Sequence, residues 1–291
     1  MLTLQLDLGR EMRGGQWQVL SLMRALKDDG ILLARRKSPL LERARAEGLR
    51  AEAFSPISLA RWQSRCDLVH AHDARSHLWT ALLSLNNVIV SRRVAFPVKT
   101  SAISRWKYSK PRAFLAVSQF VRGQLIDAGV PAEEITVIYD GVSVPFTAAS
   151  GTSILAVETN DPMKGGDLLR EASAFGGFPV HFTTELERDL SNAAIFVYLT
   201  RSEGLGSAAL LAMAAGVPVV ASNVGGLPEI VENGETGVLT ENEPQAVSAA
   251  IRFALEHRDR LGRNARRRVQ ERFTLERMVR DTRAVYERLL P

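Results

Sequence analysis

Residues 201–237 read RSEGLGSAALLAMAAGVPVVASNVGGLPEIVENGETG, and no other stretch limits the fold as tightly. A strand end and a glycine turn run into a helix that is apolar on every side, and such a helix has to be buried. "VPVVAS" follows as a short apolar strand without period-2 alternation, which suits a parallel sheet covered on both faces. "NVGGLPE" is a second tight turn that opens another helix. Turns after strand ends are where open α/β sheets bind ligands. Glycines let a backbone approach a ligand closely. The helix N-terminus near Ser207 offers free N–H groups and the positive end of a dipole to an anion such as phosphate. Glu203 stands beside that position and can accept hydrogen bonds from neutral hydroxyls, as on a sugar. A pair of ligand-free βα turns is the plainer alternative.

The alternation runs through the whole chain. "LTLQLDL", "ILLARR", "LRAEAF", "DLVHAH", "NNVIVS", "RAFLAVS" and "ITVIYDGV" read as strands separated by helical segments. In the first of those helices Trp17, Leu20, Met23 and Leu26 recur at helical spacing. "SVPFTAASGTS", residues 143–153, is rich in small residues and reads as a linker. The alternation then restarts with "SILAV", "KGGDLLREASAF", "PVHF", "ELERDLS" and "AIFVYL". Two α/β units joined by a linker predict two domains with a cleft between them. The tail "FTLERMVRDTRAVYERLL" is an amphipathic helix. Leu275, Met278, Val279, Thr282, Val285, Tyr286 and Leu289 fall on one face, with Thr274 as N-cap. The chain thus divides into residues 1–143, 144–273 and 274–291.

Composition bounds the setting. A chain of 291 residues with 46% hydrophobic content can bury the cores these units need, and 24% charged residues argues against wholesale disorder. Cys66 is the single cysteine, so no intrachain disulfide forms, and a reducing cytosol is the simplest setting. "MLTLQLDLGREMRGG" lacks the layout of a signal peptide. The longest apolar run, residues 208–221, is too short to span a bilayer and is broken by Gly216 and Pro218. His and Cys show no metal-ligand spacing and no Asp-x-Asp occurs, so no metal site is expected.

Charge is uneven. Residues 1–143 carry 21 Lys and Arg against 13 Asp and Glu, and residues 144–291 carry 16 against 19. The first half has a positive field suited to an anionic partner. Arg92, Arg93, Arg105 and Lys107, with Trp106, mark an acceptor side or a surface for anionic membrane. A solvated basic face is the plainer reading. No nucleic-acid module is recognisable, so nucleic acid is not an expected partner.

Ser202, Glu203, Gly204, Gly206, Ala212, Met213, Gly216, Pro218, Gly225, Gly226 and Glu229 together resemble the donor-binding domain of glycosyltransferase family 4. In the first half, Gly14–Gly15, "DLVHAHD", "SRRVAFPV" and "AVSQFVRGQLIDAGVPAEEITVIYDGV" are similar to the same family. The resemblance implies the α/β GT-B fold: two Rossmann-like parallel-sheet domains facing across a cleft, with a C-terminal helix crossing back to the first. It also implies a retaining, metal-independent transferase without a cofactor. The donor would be a UDP-, GDP- or similar nucleotide sugar, and the acceptor an envelope glycan such as lipopolysaccharide, a lipid or a small molecule. The implied place is the bacterial cytoplasm, with a peripheral position at the inner face of the cell membrane kept open.

Carried over by residue, Lys164 in "PMKGGD" would neutralise the departing diphosphate and Glu203 would hold donor-sugar hydroxyls. His72, ahead of Asp73, would touch the donor sugar. Gly165, Gly204, Leu205, Gly206 and Ser207 would form the donor-binding turns. Gly14 and Gly15, between the first strand and first helix, would bring backbone to the donor phosphate or the acceptor. The plainer readings are a surface lysine, a helix N-terminal acid, a backbone-bonded buried histidine and a plain turn.

Three departures from the family pattern stand out. Leu211 replaces a glutamate that would bond the nucleotide ribose. No arginine lies between Ile154 and Met163 to pair with Lys164, and Glu158 stands near its place. "AFGGFPVHF" leaves no room for a strand and helix usual there, so the second domain reads as shortened. A catalytically inactive relative that binds a nucleotide sugar or glycan, and a GT-B-type nucleotide-sugar epimerase, stay as alternatives.

Overall fold

The computed structural model describes residues 1–99 and 101–290. Contacts divide it into two units, Met1–Tyr139 with Met278–Pro291, and Asp140–Arg277. These divisions fall a few residues from those read in the sequence. The reason is local: Val142 N–H donates to Phe273 O at 2.9 Å and bridges Thr274, which holds the start of the linker in the second unit.

Unit 1 runs β1 (Thr3–Asp7), α1 (Gly14–Leu26), β2 (Gly30–Ala34), α2 (Pro39–Ala46), β3 (Ala51–Ala53), α3 (Pro56–Gln63), β4 (Leu68–Ala71), α4 (Ala74–Leu82), β5 (Val88–Arg92), α5 (Ala102–Tyr108), β6 (Ala113–Ala116), α6 (Gln119–Asp127) and β7 (Ile135–Val137). Its seven strands pair in the order β3-β2-β1-β4-β5-β6-β7, all parallel. β1, β2 and β4 are buried along their whole length, as a sheet covered on both faces requires. The strand order reverses between β1 and β4, the switch point of a doubly wound sheet. Residues 14 and 15 are the first two of α1, so the turn ends at Arg13 and not beyond the glycines.

Unit 2 runs β8 (Ser153–Val157), α7 (Gly166–Gly176), β9 (Val180–Thr183), α8 (Leu186–Asp189), β10 (Ala193–Tyr198), α9 (Ser207–Ala214), β11 (Val219–Ser222), α10 (Leu227–Ile230), β12 (Gly237–Thr240), α11 (Pro244–Glu256) and α12 (Arg258–Arg272). Its five strands are parallel in the order β12-β11-β10-β8-β9. That is the flavodoxin-like winding, with its switch point between β8 and β10. A single strand, β9, stands beyond β8, because α7 ends at Gly176 and β9 begins at Val180. The core packs Ile195, Val197 and Val220 of the sheet with Leu169 and Ala172 of α7 and Val247 and Ile251 of α11.

The last helix, α13 (Leu275–Leu289), begins in unit 2 and belongs to unit 1 from Met278 on. Thr274 caps it, its hydroxyl accepting from Arg277 N–H at 3.2 Å. Met278, Thr282, Val285 and Tyr286 are buried, the face expected from the heptad-like spacing. Tyr286 reaches the β-sheet, where its hydroxyl lies 2.6 Å from His70 Nδ1.

Candidate functional site

The two switch points gather most of the residues singled out in the sequence. In unit 2, Lys164 follows β8 and Glu203 follows β10, so adjacent strand ends deliver them to one place. Lys164 Nζ donates to Glu203 Oε2 at 2.8 Å. Tyr198, the last residue of β10, donates its hydroxyl to the same oxygen at 2.5 Å and receives Lys164 Nζ at 3.2 Å. Gly204 N–H donates to Glu203 Oε1 at 3.0 Å. The side chains of Lys164 and Glu203 stay 33% and 16% exposed, so a ligand can reach both. Burial, and then the Glu203 carboxylate, push the Tyr198 phenol well above its ordinary range, which keeps it a proton donor.

The glycines of the motif are explained by close backbone contacts. A Cβ at Gly225 would lie 2.0 Å from Glu203 O, and one at Gly226 would lie 2.1 Å from Gly204 O. The second glycine turn therefore exists to let the first lie directly on it, with Gly226 N–H donating to Glu203 O at 3.0 Å. Gly206 has φ 108° and opens α9, and Gly165 has φ 61° and opens α7. Gly204, Leu205 and Gly206 are buried, so the Leu205 side chain belongs to the core and is not open to a ligand.

On α9, Ala209, Leu210, Ala212, Met213 and Ala214 are buried. Ser207, Ala208 and Leu211 are only half-buried, so Leu211 lies on the open face one turn behind the helix N-terminus. Ser207 Oγ donates to Asp140 Oδ2 at 3.1 Å, which sets a buried carboxylate at that N-terminus.

The unit 1 switch point is closed by its own side chains. His72 is 6% exposed. Arg93 Nη1 donates to its Nδ1 at 3.3 Å, so Nε2 carries the proton and donates to Gln5 Oε1 at 2.8 Å. Both nitrogens being engaged, contact with a sugar would require exchanging Gln5 or Arg93. Burial holds the His70 and His72 imidazoles well below their usual range, so both stay neutral near pH 7. Asp73 caps α4, accepting from Arg75 N–H at 2.8 Å, and takes Leu8 N–H at 2.6 Å. Asp7, at the end of β1, accepts from Gly9 N–H at 2.8 Å and from Gln16 Nε2 at 3.0 Å. Burial, and then Asp73, push its carboxyl up to about 6.

The basic stretch divides. Arg92 donates to Tyr108 Oη at 2.7 Å and to Phe96 O, and Lys107 is half-buried against Tyr108. With Arg93 on His72, these three are tied into the unit. Arg105, Trp106 and Ile103 are exposed on α5, and Val94 and Phe96 are exposed in the segment after β5. Among the described residues no group of three His, Cys, Asp or Glu could hold a metal ion.

Sequence reasoning passed over Tyr198, Asp140, Asp7 and Gln16. Tyr198 had one usable signal, a hydroxyl on a strand's last residue just ahead of the glycine turn. Asp140 and Gln16 gave none, since their partners are set by the tertiary fold.

Two family models match the chain. The Glycosyltransferase Family 4 model covers residues 6–145 and the Glycosyl transferases group 1 model covers residues 178–268. A D-inositol 3-phosphate glycosyltransferase of Geodermatophilus obscurus is 39% identical over 145 residues, 48% of this chain and 30% of that protein. An uncharacterized glycosyltransferase of Methanocaldococcus jannaschii is 28% identical over 268 residues, 77% of this chain and 76% of that protein. The chain thus spans under a third of the first relative and about three quarters of the second. Among solved structures, Anabaena HepE in complex with UDP superposes with a TM-score of 0.87 at 16% identity, covering 99% of this chain and 100% of that one. That likeness shows the GT-B fold. With one family model on each half, the chain belongs to glycosyltransferase family 4.

Proposed function

We propose that the chain is a retaining glycosyltransferase. It moves a sugar from a nucleotide-diphospho-sugar to a hydroxyl of an envelope glycan, a lipid or a small molecule. The observation that carries this reading is the part-exposed Lys164–Glu203 pair, 2.8 Å apart at the unit 2 switch point. Breaking the bond from the anomeric carbon to the diphosphate leaves negative charge on the departing oxygen. Lys164, with the N-terminus of α9, stabilises that charge as it develops. Glu203 accepts hydrogen bonds from sugar hydroxyls, and Tyr198 and Gly204 N–H fix its carboxylate. In this reading protein cations, not a metal ion, answer the leaving-group charge. Retention of configuration rests on family membership.

The basic first half supports an anionic acceptor, and the name of the Geodermatophilus relative supports a phosphorylated one. Exposed Arg105, Trp106 and Ile103 on α5, with exposed Phe96, support a peripheral position at the inner face of the cell membrane. No described helix is long and apolar enough to cross a membrane.

A second reading has its own support: Leu211 on the open face of α9 offers no carboxylate to a ribose. It makes the chain a nucleotide-sugar-binding relative without turnover. A panel of UDP-, GDP- and ADP-sugars with phosphorylated polyol acceptors separates the two. Release of nucleoside diphosphate coupled to a product of unchanged anomeric configuration, read by NMR, is the expected result. Binding without release supports the second reading, and interconversion of the donor sugar makes the protein an epimerase. A product of inverted configuration contradicts the retaining mechanism.

A further inference from the structure

The donor site as described holds no uncompensated side-chain cation. Lys164 and Glu203 form a salt bridge at 2.8 Å, so together they carry no net charge. The N-terminus of α9 contributes about half a positive charge, and the Asp140 carboxylate bonded to Ser207 opposes it. A nucleoside diphosphate brings several negative charges. Arg170, on α7, is the first arginine after Lys164, but it is committed. Its Nη2 pairs with Glu158 Oε1 at 3.0 Å, its Nη1 lies 3.5 Å from Asp167 Oδ1, and its guanidinium covers the Phe182 ring at 4.5 Å.

Arg201 differs on each point. It lies between the end of β10 and Glu203, and its backbone N–H donates to Met163 O at 2.9 Å. Thr200 Oγ1 reinforces the junction, donating to Met163 O at 3.1 Å. Two strand-end loops are thereby fastened together, and Arg201 is held next to the turn that carries Lys164. The residue is exposed, and among the described residues its guanidinium has no hydrogen bond or ion pair.

We infer that Arg201 is the second cation of the donor site, binding the diphosphate of a nucleotide donor through its guanidinium fork. A planar, always-charged fork matches phosphate oxygens two at a time. Its place is taken from the opposite loop to the one where the family pattern sets an arginine. The inference rests on the nucleotide-sugar reading above.

Calorimetric titration of UDP, GDP and ADP into the full chain and into Arg201→Ala, Arg201→Lys and Arg170→Ala tests it. Arg201→Ala should weaken binding of the preferred diphosphate about tenfold to 100-fold. It should also lessen the salt dependence, with the melting temperature unchanged. Arg201→Lys should recover part of the loss, and Arg170→Ala should bind as the parent does. Equal affinity in Arg201→Ala and the parent, or the whole loss appearing in Arg170→Ala, overturns the assignment while leaving the donor reading intact. A parent that binds none of the three overturns both.

Discussion

Both sheets carry ionisable groups to the point where strand order reverses, and they treat them in opposite ways. In unit 1, Asp7, His70, His72 and Asp73 are covered or capped, and each finds a partner within the unit: Gln16, Tyr286, Gln5 and the α4 N-terminus. In unit 2, Lys164 and Glu203 are tied to each other and to Tyr198 but stay part-exposed. A satisfied, buried network resists exchange, because any ligand must replace bonds already made at full desolvation cost. A part-exposed pair with free lone pairs and protons can take a ligand without breaking its frame. The first arrangement shapes a domain, and the second offers a site. Substitutions in unit 1 should therefore register in stability, and those in unit 2 in turnover or ligand affinity.

The largest effect is expected at Lys164. Lys164→Ala should lower kcat by roughly 10²–10³-fold, the usual cost of one charge-stabilising contact, with the melting temperature nearly unchanged. A lost fold with intact specific activity in the residual protein would reverse the assignment.

Next comes Asp7, through pH. Its folded-state value near 6 lies above the ordinary 3.8. Between these values the folded protein holds a proton that the unfolded chain releases. Asp7 therefore favours folding below about pH 4, and that contribution is lost as pH rises through 6, a change of roughly 3 kcal/mol. Asp7→Asn cannot ionise and keeps an oxygen for Gly9 N–H. Its stability relative to the parent should rise from pH 4 to about 6 and level off above that, read by chemical denaturation, with kcat affected far less than by Lys164→Ala. A difference that is flat with pH contradicts the burial argument. Because the parent is measured alongside, the neutral histidines cancel.

Tyr198→Phe removes the hydroxyl that holds Glu203 while leaving the ring in place. A hydrogen bond to a charged group contributes about 1.5–3 kcal/mol. Lys164 and Gly204 N–H still hold the carboxylate, so the loss in kcat/KM should sit near tenfold. Equal rates would show that Glu203 needs no phenol to stay in position. The smallest effect is a gain: Leu211→Glu should tighten UDP or GDP binding by up to about tenfold if the ribose lies over the open face of α9. Weaker binding with the fold intact would place the nucleotide elsewhere.

How much of this was legible depends on how local the cause is. The strand–turn–helix at 193–214 was plain, because apolar runs and glycines are local signals; Glu203 was legible from its place beside that turn, and Lys164 from the family likeness of "PMKGGD". The amphipathic face of α13 was equally readable, down to Thr274 as cap. β12 and the helix pair α11–α12 received no assignment of their own: "GVLT" is four residues long, and α12 is dominated by arginine. The closure of His72 was not legible, since Gln5 and Arg93 are distant in sequence and meet only across the sheet. The same holds for Arg92 and Lys107, which read as part of an acceptor or membrane side, with a solvated basic face as the plainer alternative, and turn out to be braced on Tyr108. Pairing distances, not residue types, separated sites from scaffolding.

Hydrogen exchange with and without saturating UDP or GDP tests the contrast most directly, since a bound ligand slows exchange where it orders the backbone. The account predicts protection in unit 2, over residues 161–166 at the Lys164 turn and 203–211 at the start of α9. Protection confined to the strand ends of unit 1, with both of those segments unchanged, would contradict it.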